Sequence, residues 1–160
     1  MKKRLSILIA VCILAAGMTA LPLSAGSNET KAYTDLDAQA WYYPGVAYMV
    51  TNGLMVGMSD ASFEPETKLT RAMFVATLSR LSQEKPTEDA AVPFDDVPED
   101  QWYYDHICWA YQNKVVAGLS SETFAPEENI TREQMCLIMV NFAEHMGYEL
   151  PSDGYMNIMN

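Results

Sequence analysis

The stretch Trp41-Tyr42-Tyr43 returns as Trp102-Tyr103-Tyr104, and this recurrence decides the fold. The offset from Trp41 to Trp102 is 61 residues, and the flanking residues return at the same offset without a gap. The matched pairs include Asp35 with Asp96, Gly57 with Gly118, Phe63 with Phe124, Pro65 with Pro126, and Arg71 with Arg132. A duplicated unit of this size normally needs its neighbours to bury its apolar face. The sequence therefore predicts a tandem-repeat protein that functions through what recurs and through the grooves between units.

Each unit carries two helical patterns joined by a loop rich in Gly, Ser, Asp and Pro. Apolar spacing predicts a first helix near residues 43–53 and 104–114, and a second near 70–82 and 131–145. Each loop contains a single Phe, which we interpret as its anchor. The prediction is an all-α fold built from helix-loop-helix units.

The helix starts carry recognisable signals. Pro44 suits the first turn of the first helix. Thr131 followed by Gln134 forms a capping-box pattern, whereas Thr70 is followed by Met73 and lacks the second half of the box. We therefore expect the second helix of each unit to begin at its threonine.

The N-terminal segment is predicted to lie outside the fold. A basic Lys2-Lys3-Arg4 cluster precedes the apolar run 5–16, and small residues end the segment at Ala25. We interpret residues 1–25 as a secretory signal peptide, because the apolar run is short for a bilayer span, which needs about 20 residues. The mature form is then secreted and has no membrane span.

Charge excludes one class of partner. Of 10 basic residues, Lys2, Lys3 and Arg4 leave with the signal peptide, so 7 remain against 21 acidic residues, a formal net charge of −14. Such a chain repels the phosphate backbone of nucleic acid. An anionic ligand would have to be held by locally placed cations, which makes the few basic residues informative.

The predicted organisation is a first repeat over residues 33–82, a polar linker over 83–93 and a second repeat over 94–146. The same offset carries Phe94-Asp95-Asp96-Val97 onto Tyr155-Met156-Asn157-Ile158, with the aromatic and aliphatic positions kept. Residues 155–160 are therefore expected to be the truncated start of a third repeat.

The cysteines and histidines do not indicate a specific disulfide or metal site. Cys108 and Cys136 match Ala47 and Val75 of the first repeat, so we predict apolar core positions for both. A disulfide between them stays open in an exported protein. A zinc site from these cysteines with the two histidines, His106 and His145, matches no usual ligand spacing, so we expect neither a metal nor another cofactor.

The residues resemble a known family. An aromatic-x-Asp-Val/Leu start, a Trp, a helix, a loop ending Phe-x-Pro and a Thr-Arg opening the second helix are similar to the S-layer homology repeat of bacterial surface proteins. The resemblance covers Tyr33 to about Leu81 and Phe94 to about Phe142. The family motif Ile-Thr-Arg-Ala-Glu stands here as Leu69-Thr70-Arg71-Ala72-Met73 and Ile130-Thr131-Arg132-Glu133-Gln134, with its final Glu lost in both copies.

That resemblance implies a fold and a function. In the family, three repeats usually pack about a pseudo-threefold axis, which this chain would form incompletely. The grooves between repeats bind secondary cell-wall polysaccharide, often capped by pyruvylated N-acetylmannosamine. The implied role is non-covalent anchoring to the cell wall or S-layer. Two faces of an incomplete ring would stay uncovered, so self-association or pairing with another such chain is also expected.

Arg71 and Arg132 are the leading candidates for recognising an anionic glycan. Each opens a helix, where an exposed cation is disfavoured by about 0.3–1 kcal/mol, so a partner is expected. An anionic ligand held by the guanidinium and free helix amides is one interpretation. The other is an ion pair with Asp35 or Asp96 that only fastens the unit.

The other candidate glycan-binding residues are Trp41, Trp102, Asp35 and Asp96. A repeated tryptophan most often packs in a core, which we favour here, and stacking on a sugar ring is the alternative. The two aspartates are expected to cap the turn before the first helix, with a ligand role second.

No catalytic constellation is present in the sequence, so we expect a binding protein and not an enzyme. Besides the wall anchor, two alternatives stay open. One is a structural assembly module of the cell surface that self-associates without binding glycan. The other is a calcium-dependent module using the acidic loops, although these lack regular ligand spacing.

Overall fold

The computed structural model describes residues 33–87 and 90–149. The predicted signal peptide, residues 1–25, and the predicted third-repeat start, residues 155–160, lie outside these ranges. In the described part, none of the helices is both long enough and apolar enough to cross a membrane.

The described residues form four helices and no strand, which confirms the all-α prediction. The helices are α1 (Tyr43–Thr51), α2 (Arg71–Ser82), α3 (Tyr104–Gln112) and α4 (Arg132–His145). Here repeat 1 means residues 33–82 and repeat 2 means residues 94–146. Each repeat is a helix-loop-helix unit with the predicted order.

The helix starts follow the predicted signals. The Thr70 hydroxyl accepts a hydrogen bond from the Met73 amide at 3.2 Å. At α4, the Thr131 hydroxyl accepts from the Gln134 amide while the Gln134 side chain accepts from the Thr131 amide, which completes the capping box. Pro44 lies in the first turn of α1, where its missing amide hydrogen costs nothing.

Asp35 and Asp96 clasp the loop of their own repeat. Asp35 accepts hydrogen bonds from the Phe63 and Glu64 amides, the shortest at 2.7 Å. Asp96 accepts from Phe124 and Ala125 in the same way, at 2.8 and 2.7 Å. The prediction that these aspartates cap the turn before the first helix is wrong. The loop amides have no other acceptor in the turn, and they occupy both carboxylates.

The clasp holds a backbone conformation that side chains disfavour. Glu64 and its counterpart Ala125 have φ angles of 58° and 60°. A left-handed residue other than glycine costs roughly 1–2 kcal/mol. In both repeats this residue donates its amide to the aspartate, so the carboxylate offsets part of the strain.

Each loop is pinned by its lone phenylalanine, as predicted. Phe63 packs on Tyr33 and Phe124 packs on Phe94, with both pairs of ring centroids 5.6 Å apart. A Cβ atom added at Gly57 would overlap the Tyr33 ring and the Ser62 carbonyl, so this position requires glycine.

The core lies mostly in repeat 2 and on the face of α2 that packs against α3. Trp109, Phe124 and Ile107 are the largest side chains that are wholly buried. By contrast, α1 has no buried residue. The two repeats therefore share a fold but not a degree of burial.

The linker between the repeats is fastened to repeat 2. The Glu84 carboxylate accepts a hydrogen bond from the Trp109 indole at 3.1 Å and lies 2.7 Å from Nε2 of His145. These two contacts lower the pKa of Glu84, the His145 contact most. Further along, the side chains of Thr87 and Gln112 are hydrogen-bonded at 2.8 Å.

Backbone hydrogen bonds join the repeats. The Arg71 amide donates to the Glu128 carbonyl at 2.8 Å, and the Ala72 amide donates to the Pro126 carbonyl at 2.9 Å. In return, the Ile130 amide donates to the Leu69 carbonyl at 3.1 Å. The free amides at the start of α2 are thus satisfied by the loop of repeat 2.

Candidate functional site

A groove of about 460 Å³ opens between repeat 1 and Trp102 of repeat 2. Its lining is mostly apolar and rich in methionine, with a few polar and charged groups. The walls come from the loop of repeat 1 and from one face of α2. The lining includes Met55, Met58, Glu64, Lys68, Met73, Thr77, Arg80 and Trp102.

Two cations, Arg80 and Lys68, line the groove, and neither is among the binding residues that the sequence predicts. Arg80 lies in the last turn of α2, and its Nη1 is 3.5 Å from the Leu54 carbonyl, a long hydrogen bond. Burial lowers its pKa, but a guanidinium stays protonated at neutral pH. Lys68 is exposed at the groove edge. Glu64 lines the same groove, so two cations face one carboxylate there, and the site carries a small positive excess in a strongly acidic protein.

Trp102 is the residue of repeat 2 in the groove lining. Its ring packs edge-on against Tyr103, with centroids 5.3 Å apart, and 52% of the residue stays exposed. Its counterpart Trp41 is 92% exposed. The favoured interpretation of these tryptophans as core residues is therefore wrong, because each lies in the turn just before its helix, outside the helical apolar stripe, and stays exposed.

Arg71 lies in the interface between the repeats and not in the groove lining. It is only 2% exposed, its Nε donates to the Phe124 carbonyl at 2.9 Å, and its Cζ lies 4.6 Å from the centroid of the Phe124 ring. Burial lowers its pKa, and the fields of Glu128 and Asp96 oppose that shift. Arg71 does fasten the repeats, but through Phe124.

The predicted ion pair between an arginine and Asp35 or Asp96 is absent from the described residues. The loop amides occupy both carboxylates instead. Bonds from the Phe63 and Glu64 amides also lower the pKa of Asp35. Arg132, the counterpart of Arg71, is exposed.

Of the predicted site residues, Arg71 and Asp96 converge on Phe124, and Trp102 lies in the groove. Trp41 and Arg132 are exposed elsewhere. The predicted set therefore does not form one site. Whether its members bind glycan stays a prediction.

The 61-residue offset between the repeats singles out these two cations. Adding 61 to Arg80 and Lys68 gives Asn141 and Asn129, so charge is present at these positions in repeat 1 alone. Asn141 keeps the backbone contact, donating to the Val115 carbonyl at 3.2 Å as Arg80 does to Leu54. The hydrogen bond to the backbone carbonyl recurs in both repeats, but the positive charge of Arg80 does not. The charge is therefore not needed for that bond, and Arg80 is a candidate for binding a ligand.

Cys108 and Cys136, the two cysteines of the described residues, are free thiols. Cys108 is buried, as predicted, and burial raises its pKa, whereas Cys136 is exposed on α4, contrary to the prediction. Across residues 33–87 and 90–149, no three His, Cys, Asp or Glu side chains gather closely enough to hold a metal ion. Ring nitrogen Nδ1 of His106 instead pairs with the Ser79 hydroxyl at 3.0 Å.

The fold and groove define a class, the all-helical tandem-repeat proteins with a ligand-sized groove between units. The S-layer homology domain family matches residues 32–73 and 93–136, which together make up more than half of the chain. The chain belongs to this family.

Relatives share the repeats within much longer proteins. An endoglucanase of Bacillus sp. strain KSM-635 is 32% identical over 93% of this chain, and a surface-layer 125 kDa protein of Lysinibacillus sphaericus is 32% identical over 68%. A cellulosome-anchoring protein of Acetivibrio thermocellus is 28% identical over 72%. The chain spans 16%, 9% and 27% of their respective lengths.

Proposed function

We propose that this chain attaches to the bacterial cell wall by binding an anionic secondary polysaccharide in the groove between repeat 1 and Trp102. The observation that carries the proposal is the pair of cations, Arg80 and Lys68, beside an exposed tryptophan face. The whole chain is acidic and Glu64 also lines the groove, so Arg80 and Lys68 are the groups there that select an anion.

Carboxylate recognition follows from the geometry of Arg80. A guanidinium presents two parallel N–H groups that match the two oxygens of a carboxylate. Its long bond to the Leu54 carbonyl fixes the side chain without using the whole fork. The pyruvyl ketal of a capped wall polysaccharide carries such a carboxylate, and Lys68 adds a second positive charge at the groove edge.

Sugar stacking is the role proposed for Trp102. A pyranose presents an apolar face of C–H groups, which packs on an exposed aromatic ring. The methionines that line the groove are Met55, Met58 and Met73. Their flexible side chains can fit the irregular apolar surface of a sugar. Apolar contact and charge are therefore both available to a ligand in this groove.

The names of two relatives, a surface-layer protein and a cellulosome-anchoring protein, support a role at the cell surface. We accordingly propose that the chain is exported through residues 1–25 and held at the wall. We also propose that it acts by binding and not by catalysis.

Sedimentation with purified wall sacculi tests the proposal. Wild-type chain should pellet with the sacculi and stay in solution after the polysaccharide has been stripped from them. Arg80→Asn installs the residue that repeat 2 carries at Asn141, so the backbone contact has a precedent and only the charge is removed. Loss of one charge-assisted bond should weaken binding by roughly ten- to a hundredfold.

Asn141→Ala is the matched control, because it removes the same backbone contact in the repeat that lacks the cations. It should bind like wild type, and circular dichroism should report intact helices for both variants. Equal binding by Arg80→Asn and wild type would contradict the proposal.

A further inference from the structure

His106 lies where α3 of repeat 2 packs on α2 of repeat 1. It is a half-buried residue in the first turn of α3, and its Nδ1 is hydrogen-bonded to the buried Ser79 hydroxyl of α2 at 3.0 Å. Ser79 is followed directly by Arg80, and Trp102 lies four residues before His106; Arg80 and Trp102 both line the groove. His106 is therefore fastened to the helix that carries the groove cation, although it is not itself in the lining.

Two charged groups act on His106 in the part of the chain that the structure describes. Arg80 faces it from α2, and Asp105 precedes it on α3. Burial and the field of Arg80 lower the pKa of His106, burial most, and the field of Asp105 opposes them. Because this pKa lies below the ordinary value of 6.5, the ring is neutral at neutral pH. The imidazolium is thus disfavoured in part by the same cation that would hold an anion in the groove.

We propose that His106 is a proton-binding site coupled to the groove: an anion held by Arg80 favours the imidazolium, so glycan binding takes up a proton and strengthens as pH falls. This regulation rests on the proposed function and acts on the same groove. The negative charge of the anion offsets the field of Arg80 at the ring. Because linkage is reciprocal, the protonated ring strengthens anion binding by the same factor.

The hydrogen bond to Ser79 is compatible with both forms of the ring. A hydroxyl can donate to Nδ1 of the neutral imidazole and can accept from the N–H of the imidazolium. Neither protonation state therefore leaves the buried Ser79 hydroxyl without a partner. The helix-loop-helix unit also forms without this pair, since the 61-residue offset carries His106 onto Gly45 and Ser79 onto Val140.

The direction of the pH dependence follows from this coupling. Without ligand, His106 binds a proton only below its lowered pKa, and with an anion at Arg80 it binds the proton at a higher pH. Affinity should therefore rise as pH falls through the histidine range, from about pH 8 to about pH 5. The anion itself stays charged in this range, because the ordinary pKa of a carboxyl group is about 4.

Proton NMR of the ligand-free chain tests the coupling without any glycan. The chain has two histidines, so His106→Asn and His145→Gln assign the two imidazole resonances. Arg80→Asn should raise the pKa of His106 and leave the titration curve of His145, which pairs with Glu84, as in wild type. An unchanged pKa of His106 in Arg80→Asn would overturn the regulation, whatever the glycan does.

Calorimetric titration with pyruvylated N-acetylmannosamine as the probe then measures the linkage. Buffers of different ionisation enthalpy should report proton uptake by wild type on binding. Its affinity should be roughly fivefold higher at about pH 5.5 than at about pH 7.5, at the low end of typical couplings because the ring is half-exposed. His106→Asn, whose amide takes the place of Nδ1 beside Ser79, should lose the proton uptake and most of the pH dependence. His145→Gln is the control for the other histidine and should behave as wild type.

The two measurements separate this regulation from the proposed function. If wild type binds the probe at neither pH, the proposed function is refuted and the regulation with it. If wild type binds with equal affinity at both pH values, or if proton uptake persists in His106→Asn, the regulation alone is overturned.

Discussion

Repeat 1 and repeat 2 have the same loop clasp, the same phenylalanine anchor and the same threonine cap, yet they bury different residues. Arg71 is buried where Arg132 is exposed, and α1 has no buried residue whereas α3 has four. Both arginines follow a threonine cap, so the shared Thr-Arg pair does not set burial. What sets it is whether another repeat lies opposite, and only the start of α2 has that neighbour among the described helices.

The largest contrast is expected between Trp109 and Tyr48, which occupy matching positions. Trp109→Ala removes a wholly buried indole and the bond to Glu84, and should lower the free energy of unfolding by about 3–5 kcal/mol. Tyr48→Ala should change it by about 0.5 kcal/mol or less. Denaturant unfolding followed by circular dichroism measures both, and similar costs would show that α1 is packed.

The next contrast is between the arginines. Arg71→Ala leaves the Phe124 carbonyl without its donor and uncovers the ring, at a cost of about 2–3 kcal/mol. Arg132→Ala, measured at a concentration where the chain is monomeric, should cost about 0.5 kcal/mol or less. Equal losses in the same unfolding experiment would refute the assignment of Arg71 to an interface that Arg132 lacks.

The helices could be predicted from the sequence because their signals are local. Thr131 with Gln134 specifies a helix start wherever the chain folds, and apolar spacing specifies the helix that follows. Burial is not local. Periodicity does not say what lies opposite a side chain. It therefore predicts neither the exposure of Trp41 and Trp102 nor the different burial of Arg71 and Arg132.

The candidate site shows a second limit. Recurrence between the repeats predicts a role for Trp102, which lines the groove. It predicts none for Arg80, because repeat 2 has Asn141 at the matching position. Here the difference between Arg80 and Asn141 lies at the groove. Positions that are charged in one repeat and neutral in the other would identify Arg80 and Lys68 from the sequence.

A smaller effect is expected from the strained loop residues. Ala125→Gly should stabilise the fold by about 0.5–1 kcal/mol, because glycine adopts a positive φ without strain. Glu64→Gly should gain less, since the Glu64 carboxylate also accepts a bond from the Thr67 hydroxyl at 2.9 Å. Thermal unfolding of the two variants compares them, and destabilisation by Ala125→Gly would argue against a left-handed residue there.

The smallest effect concerns pH. The pKa of Glu84 is lowered in the folded state by its contacts with His145 and Trp109, so its contribution is present above its ordinary value of 4.5 and is lost as pH falls through the lowered folded pKa. Unfolding should be compared for wild type and Glu84→Gln from about pH 6 to about pH 3. The stability gap should close toward low pH, and a gap that widens would contradict the contact.

We propose that a single groove, between repeat 1 and Trp102, binds the anionic glycan. Calorimetric titration of a purified wall-polysaccharide fragment into wild type, Trp102→Ala and Trp41→Ala tests it most directly, because both tryptophans are exposed and neither substitution should unfold the chain. We predict one site per chain, lost in Trp102→Ala and kept in Trp41→Ala. Binding that survives in Trp102→Ala, or that is lost equally in both variants, would contradict the claim.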